Sequence, residues 1–157
     1  PASVLLELLN TRNASISIAE SCTGGWVQKF ITDVSGASQC YLGGVVSYAN
    51  SMKQETLKVP AAILELHGAV STECAKAMAK GIKRLTESSF AISVTGIAGP
   101  EGGSSEKPVG TVFFGFETMD NSWTSKQIFN GERDSIRHKA AEFALLEMIK
   151  YLQGRNI

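Results

Sequence analysis

A short alternating stretch, Ser15-Ile16-Ser17-Ile18, passes through Ala19-Glu20-Ser21-Cys22-Thr23-Gly24-Gly25 into Trp26, Val27, Phe30, Ile31 and Val34 at helical spacing. Alternation followed by a 3.6-residue period is the pattern of a strand, a tight turn and a helix N-terminus. This unit constrains the chain more than any other. The first amides of a helix have no partner within it and, with the helix dipole, favour negative charge. Gly24 and Gly25, read in the first turn of that helix, leave the backbone open to a ligand at about 1 kcal/mol each in helix propensity. Just ahead stand the hydroxyl of Ser21 and the thiol of Cys22, two candidate nucleophiles beside candidate oxyanion donors at Thr23, Gly24 and Gly25. A plain N-cap is the alternative use of Ser21, and the commoner one.

Composition narrows the function classes. With 15 Lys and Arg against 15 Asp and Glu, the 157-residue chain has no bulk positive field, so nucleic acid and anionic membrane are not expected partners. No apolar run approaches the ~18 residues of a membrane span and no signal-peptide pattern opens the chain, so a cytoplasmic protein is expected. Cys22, Cys40 and Cys74 are odd in number and widely spaced, which favours reduced thiols over disulfides or a CxxC metal site. Only His67 and His138 are available to a zinc site or a Ser-His-Asp triad, so no metal or cofactor is expected.

Along the chain, Val4, Leu5, Leu8 and Leu9 share one face of a first helix. A second strand is expected over 41–48, then a helix opened by Asn50 as N-cap. That spacing puts Lys53 in a first helical turn, where the dipole opposes a cation and depresses its pKa; a neutral lysine there is a candidate base, and a solvated surface lysine the alternative. A short helix over 60–66 follows, then a longer one capped by Ser71 that presents Ala75, Met78, Ile82 and Leu85 to the core. Residues 89–95 alternate like a half-buried strand. They lead into a second glycine-rich loop, Thr95-Gly96-Ile97-Ala98-Gly99-Pro100, at a strand end of the kind that binds ligands in α/β sheets. A hairpin over about 110–129 and a long helix over 132–152 complete the chain, with Arg133 and Arg137 in the first turns of that helix. Arg133 is a candidate anion ligand. The order predicts one α/β domain over 1–157: three α/β/α layers with a mixed sheet, crossover connections early and an antiparallel hairpin late.

The motifs at 19–25, Tyr48-Ala49-Asn50 with Lys53, His67-Gly68-Ala69-Val70-Ser71, 95–100 and Lys107-Pro108-Val109-Gly110-Thr111-Val112 together resemble the CinA C-terminal domain family over nearly the whole chain. In its stand-alone form that family resembles bacterial nicotinamide mononucleotide deamidases. The resemblance implies an amidohydrolase releasing ammonia and nicotinic acid mononucleotide, with Ser21 as nucleophile, Lys53 as base and Tyr48 as a third catalytic residue that passes a proton to the departing ammonia, and a homo-oligomer. Substrate or oxyanion contacts are then expected from Cys22, Thr23, Gly24, Gly25, Asn50, Thr95, Gly96, Gly99 and Arg133. Cys22 is the rival nucleophile by chemistry, since a thiol at a helix N-terminus is activated. Two other readings remain: a nucleotide-sensing or protein-binding module, which would need neither Ser21 nor Lys53, and an amidase for another small amide.

Overall fold

The computed structural model describes residues 1–154. The elements follow in the order α1 (Ala2–Thr11), β1 (Ile16–Glu20), α2 (Trp26–Thr32), a 3-10 turn (Ala37–Gln39), β2 (Tyr41–Val46), α3 (Asn50–Glu55), α4 (Ala61–His67), α5 (Thr72–Thr86), β3 (Phe90–Gly96), β4 (Thr111–Glu117), β5 (Ser122–Ile128) and α6 (Arg133–Leu152). The strands form one sheet in the order β2-β1-β3-β4-β5. β2, β1 and β3 are parallel, while β4 pairs antiparallel with both β3 and β5. This is the expected mixed sheet in a three-layer α/β/α arrangement. No helix among the described residues is long and apolar enough to cross a membrane.

Alternation along β1 sends Ile16 and Ile18 to one face and Ala19 to the other. On the first face they meet Leu5 and Leu9 of α1, Val27 and Ile31 of α2, and Ala144 and Met148 of α6. On the second, Ala19 and Ala91 pack with Leu57 and with Met78 and Ile82 of α5. Because both faces are covered, β3 is buried continuously from Ala91 to Thr95, not half-buried as the alternation predicts. Its polar side chains are satisfied by backbone: Ser93 donates to the Ala75 carbonyl at 2.5 Å and Thr95 to the Ala69 carbonyl at 2.7 Å.

Other expectations shift at element edges. Val4 is exposed and Leu6 buried, so the core face of α1 is rotated toward Ala2 and Leu6. Leu85, in the last turn of α5, is exposed. β1 extends to Glu20, two residues beyond the alternating run, while β2 stops at Val46. Ser71 does cap α5, accepting the Cys74 N–H at 3.1 Å.

The topology creates the site. From β1 the chain crosses through α2 to β2 on one side, and β3 lies on the other side of β1. The chain therefore leaves the C-terminal ends of β1 and β3 in opposite directions, opening the crevice where α/β sheets bind ligands.

Close packing of α5 is tested at Gly81, where an added methyl would fall inside contact distance of the Leu57 carbonyl. Alanine favours a helix by about 1 kcal/mol, but overpacking costs typically 1–3 kcal/mol. Gly81→Ala is expected to lower the urea midpoint despite its better helix propensity; a raised midpoint would show that the Leu57 segment gives way freely.

Candidate active site

Ser21 is held from both sides by the sheet. Its N–H donates to the Val94 carbonyl of β3 at 2.9 Å, and the carbonyl of Glu20 before it accepts the Ser47 N–H after β2 at 2.8 Å. The chain then turns tightly, with the Gly24 N–H donating to the Ser21 carbonyl at 3.0 Å and the Trp26 N–H to the Thr23 carbonyl at 3.3 Å. Gly24 and Gly25 have φ of +60° and +101°, left-handed values that glycine adopts without steric penalty. They precede the helix instead of forming its first turn, and Gly25 is the N-cap. Ser21 is not a cap.

The anion at the α2 N-terminus is internal. The fully buried Glu20 carboxylate accepts the N–H groups of Gly25 (3.0 Å) and Val27 (3.2 Å) on Oε2 and of Gln28 (3.0 Å) on Oε1. The expected donors at Gly24 and Gly25 are therefore engaged within the protein. The N–H groups of Cys22 and Thr23 donate to no other residue among the described residues, that of Cys22 facing only its own sulfur. Thr23 Oγ1 is buried and likewise unpartnered there.

Lys53 is 1% exposed and Ser21 9%. Lys53 Nζ lies 3.0 Å from Ser21 Oγ, 2.7 Å from the Ser47 carbonyl and 3.0 Å from the Tyr48 carbonyl. A neutral amine has two N–H bonds and one lone pair; with both carbonyls accepting, the lone pair is left for the Ser21 hydroxyl. Burial pushes the lysine pKa down, opposed by the thiols of Cys74 and Cys22. The cause differs from the expected dipole effect, since Lys53 lies in the last turn of the six-residue α3. The N-cap of α3 is Ala49; Asn50 is its exposed first residue, with no capping bond.

Cys22 is not an activated thiol. Burial, followed by the Glu20 carboxylate, pushes its pKa up to about 12 against the weaker pull of its own backbone N–H, of Arg137 and of Lys53. Neither histidine offers a base in its place: His138 packs its ring against Trp26 and Phe30, and His67 Nδ1 sits 3.7 Å from Glu73 Oε1.

Two arginines of α6 join the strand ends. Arg133 donates through Nη1 to the Gly99 carbonyl at 2.7 Å and through Nη2 to the Tyr48 hydroxyl at 3.1 Å, linking the loops after β3 and β2. Tyr48 is thus engaged twice, its carbonyl on Lys53 and its exposed ring on Arg133. Arg137 donates through Nε to the Cys22 carbonyl and through Nη2 to the Thr23 carbonyl, both at 3.1 Å, and stacks 4.9 Å over the Trp26 ring. In the second glycine loop, the Thr95 hydroxyl is engaged by Ala69, and Gly96 closes β3 against Thr111 and Val112, where a side chain would clash. Lys107 ties this region to the start of α5 by donating to the Val70 carbonyl at 2.7 Å. The parts that sequence reasoning missed are Glu20, the Ser47 carbonyl and Arg137. Glu20 lies inside the organising motif, whereas the only signal for Arg137 is its helical spacing from Arg133.

A family model described as CinA C-terminal domain matches residues 1–152. A CinA-like protein from Thermotoga maritima is 44% identical over 153 residues, covering 98% of this chain; the chain spans 37% of that relative's length. The nicotinamide-nucleotide amidohydrolase PncC of Escherichia coli is 44% identical over 140 residues, covering 88% of this chain and 85% of that protein. Among solved structures, the competence damage-inducible protein A (ComA) of Klebsiella pneumoniae superposes with a TM-score of 0.94 at 33% identity, covering 97% of this chain and 94% of that one.

The thiol chemistry is directly testable. Burial raises the pKa of all three cysteines, so iodoacetamide at pH 8 is expected to leave the folded protein unmodified by mass spectrometry, and to label it only in denaturant. Rapid modification of Cys22 in the folded protein would return it to contention as nucleophile.

Proposed function

The chain belongs to the CinA C-terminal domain family, and from that premise we propose that residues 1–157 act as one amidohydrolase domain, deamidating nicotinamide mononucleotide to nicotinic acid mononucleotide and ammonia. The observation that carries this reading is the buried Lys53 amine 3.0 Å from Ser21 Oγ with its remaining valences on two carbonyls. The name of the 44% identical Escherichia coli relative supports the substrate.

In the proposed reaction Ser21 Oγ bonds to the carboxamide carbon while its proton passes to Lys53 Nζ, and the carbonyl π pair moves onto oxygen. Collapse of this oxyanion restores the carbonyl and breaks the C–N bond, with Lys53 returning the proton to the departing nitrogen as ammonia. Water then adds to the acyl ester, giving a proton to Lys53, and Ser21 leaves with that proton as the acid forms. A Ser–Lys pair of this kind replaces the histidine of the better-known triad. Arg133, with the Gly96–Gly99 loop, is assigned to the ribose phosphate, whose doubly anionic oxygens suit a guanidinium. The exposed Tyr48 and Asn50 are assigned to the substrate from the β2 side, whereas Thr95 is buried with its hydroxyl on the Ala69 carbonyl. A homo-oligomer fits the exposed Leu42, Val46, Tyr48 and Met52 on and beside the edge strand β2.

The test is ammonia release from nicotinamide mononucleotide by the wild type, Ser21→Ala and Lys53→Ala. Each substitution is expected to lower kcat by ~10³-fold or more. Turnover retained by Ser21→Ala would sink the mechanism, and none by a folded wild type would sink the substrate.

The base must be neutral, and its folded pKa lies below the ordinary lysine value of 10.5. kcat/KM is therefore expected to rise with pH as Lys53 loses its proton, with a midpoint below that value. A profile that falls across the same range would remove Lys53 as base.

A further inference from the structure

Resting on the reading of Ser21 as nucleophile, we propose that Arg137 is a positioning residue that builds the oxyanion hole from behind, aiming the N–H groups of Cys22 and Thr23 at the reacting carbonyl. Of the amides that follow the nucleophile, Gly24 donates to the Ser21 carbonyl, Gly25 to Glu20, Trp26 to the Thr23 carbonyl, and Val27 and Gln28 to Glu20. Only Cys22 and Thr23 are left among them. An oxyanion formed at Ser21 therefore has these two backbone donors available in the turn.

A trans peptide unit points its C=O and N–H in opposite directions. Arg137 Nε holds the Cys22 carbonyl, which turns the Thr23 N–H away from the guanidinium. Its Nη2 holds the next carbonyl, that of Thr23, so the fork fixes two consecutive units. On the Ser21 side, the Ser21 carbonyl is held by the Gly24 N–H, which turns the Cys22 N–H the other way. Without the guanidinium, the Cys22–Thr23 unit would lose the bond that sets its sense, and a flip would replace a donor with a carbonyl oxygen facing the developing negative charge.

The surroundings show that the guanidinium is seated. It stacks on Trp26, contacts Asp134 Oδ1 at 3.3 Å, and approaches Gly24 so closely that a Cβ there would lie 3.0 Å from Nη2. A lysine keeps the charge but not the two-pronged geometry, so the proposal separates fork from charge.

The test uses p-nitrophenyl acetate beside nicotinamide mononucleotide, since any acyl transfer at Ser21 requires the hole whether or not the amide substrate is right. Arg137→Gln is expected to lower the Ser21-dependent rate on both by ~10²-fold with KM within ~3-fold, Arg137→Lys to fall between, and methylguanidinium to restore part of the activity of Arg137→Ala. A merely structural arginine would give a lower Tm with no rescue. In the ¹⁵N-labelled wild type, phenylboronic acid, which forms a tetrahedral adduct on Ser21, is expected to shift the amide signals of Cys22 and Thr23 more than those of Gly24 and Gly25. This measurement needs no variant and decides which amides form the hole, and Arg137→Lys with the same boronate decides the role of the fork if Arg137→Gln does not fold. Folded Arg137→Gln with unchanged ester turnover, a boronate shift confined to Gly24 and Gly25, or a Ser21 inert to both ester and boronate would each overturn the proposal. Ester turnover that depends on Arg137, without ammonia release by the wild type, would keep it and discard the substrate.

Discussion

A buried carboxylate bonded to three amides is the interaction on which the site depends. Glu20 ends β1, and its side chain reaches forward to cap α2 at Gly25, Val27 and Gln28. Charge-assisted bonds at the positive end of a helix are among the stronger ones available to a carboxylate. They join strand to helix across the five residues from Ser21 to Gly25. The turn between must then be tight enough for a side chain to span it, which accounts for the positive φ at Gly24 and Gly25. Burial and, after it, the same carboxylate raise the Cys22 thiol, so the interaction that shapes the turn adds to what holds that thiol protonated.

Lys53 achieves the opposite effect with the same means. Burial penalises its charged form, as it penalises the Cys22 thiolate, and the neutral form is the one the proposed reaction uses. An unpaired buried amine would be costly, and the Ser47 and Tyr48 carbonyls remove that cost. Both carbonyls belong to the segment leaving β2, which the Glu20 carbonyl anchors through the Ser47 N–H. Ser21 and Lys53 are therefore referred to a single residue, Glu20, whose side chain sets the turn and whose backbone holds the partners of the lysine.

The order of elements was legible because each strand and helix carries its own period, and the two outer layers follow from the apolar faces of α1, α5 and α6. Long-range contacts were not. β3 reads as half-buried because Ser93 and Thr95 are polar, and only the fold shows carbonyls of the segment packed above it taking those hydroxyls. Lys53 is singled out by its position near a helix start, yet its depressed pKa comes from burial, which no local pattern carries. Glu20 sits in plain view within the motif, but its partners depend on the turn closing. Arg137 meets Cys22 across 115 positions, a distance over which one sequence holds no register.

Helix α6 then gives the site its scale. Arg133 and Arg137 are one turn apart, about 6 Å along the axis, and they share its direction of approach. The first binds the loops after β2 and β3; the second grips the turn after Ser21 at the Cys22 and Thr23 carbonyls. Because α6 is a continuous 20-residue helix packed through Ile136, Ala140 and Ala144, the backbone positions of the two arginines are held at one spacing. The spacing between those loops and the turn is thus set by helix geometry, a stiffer ruler than the segments it connects.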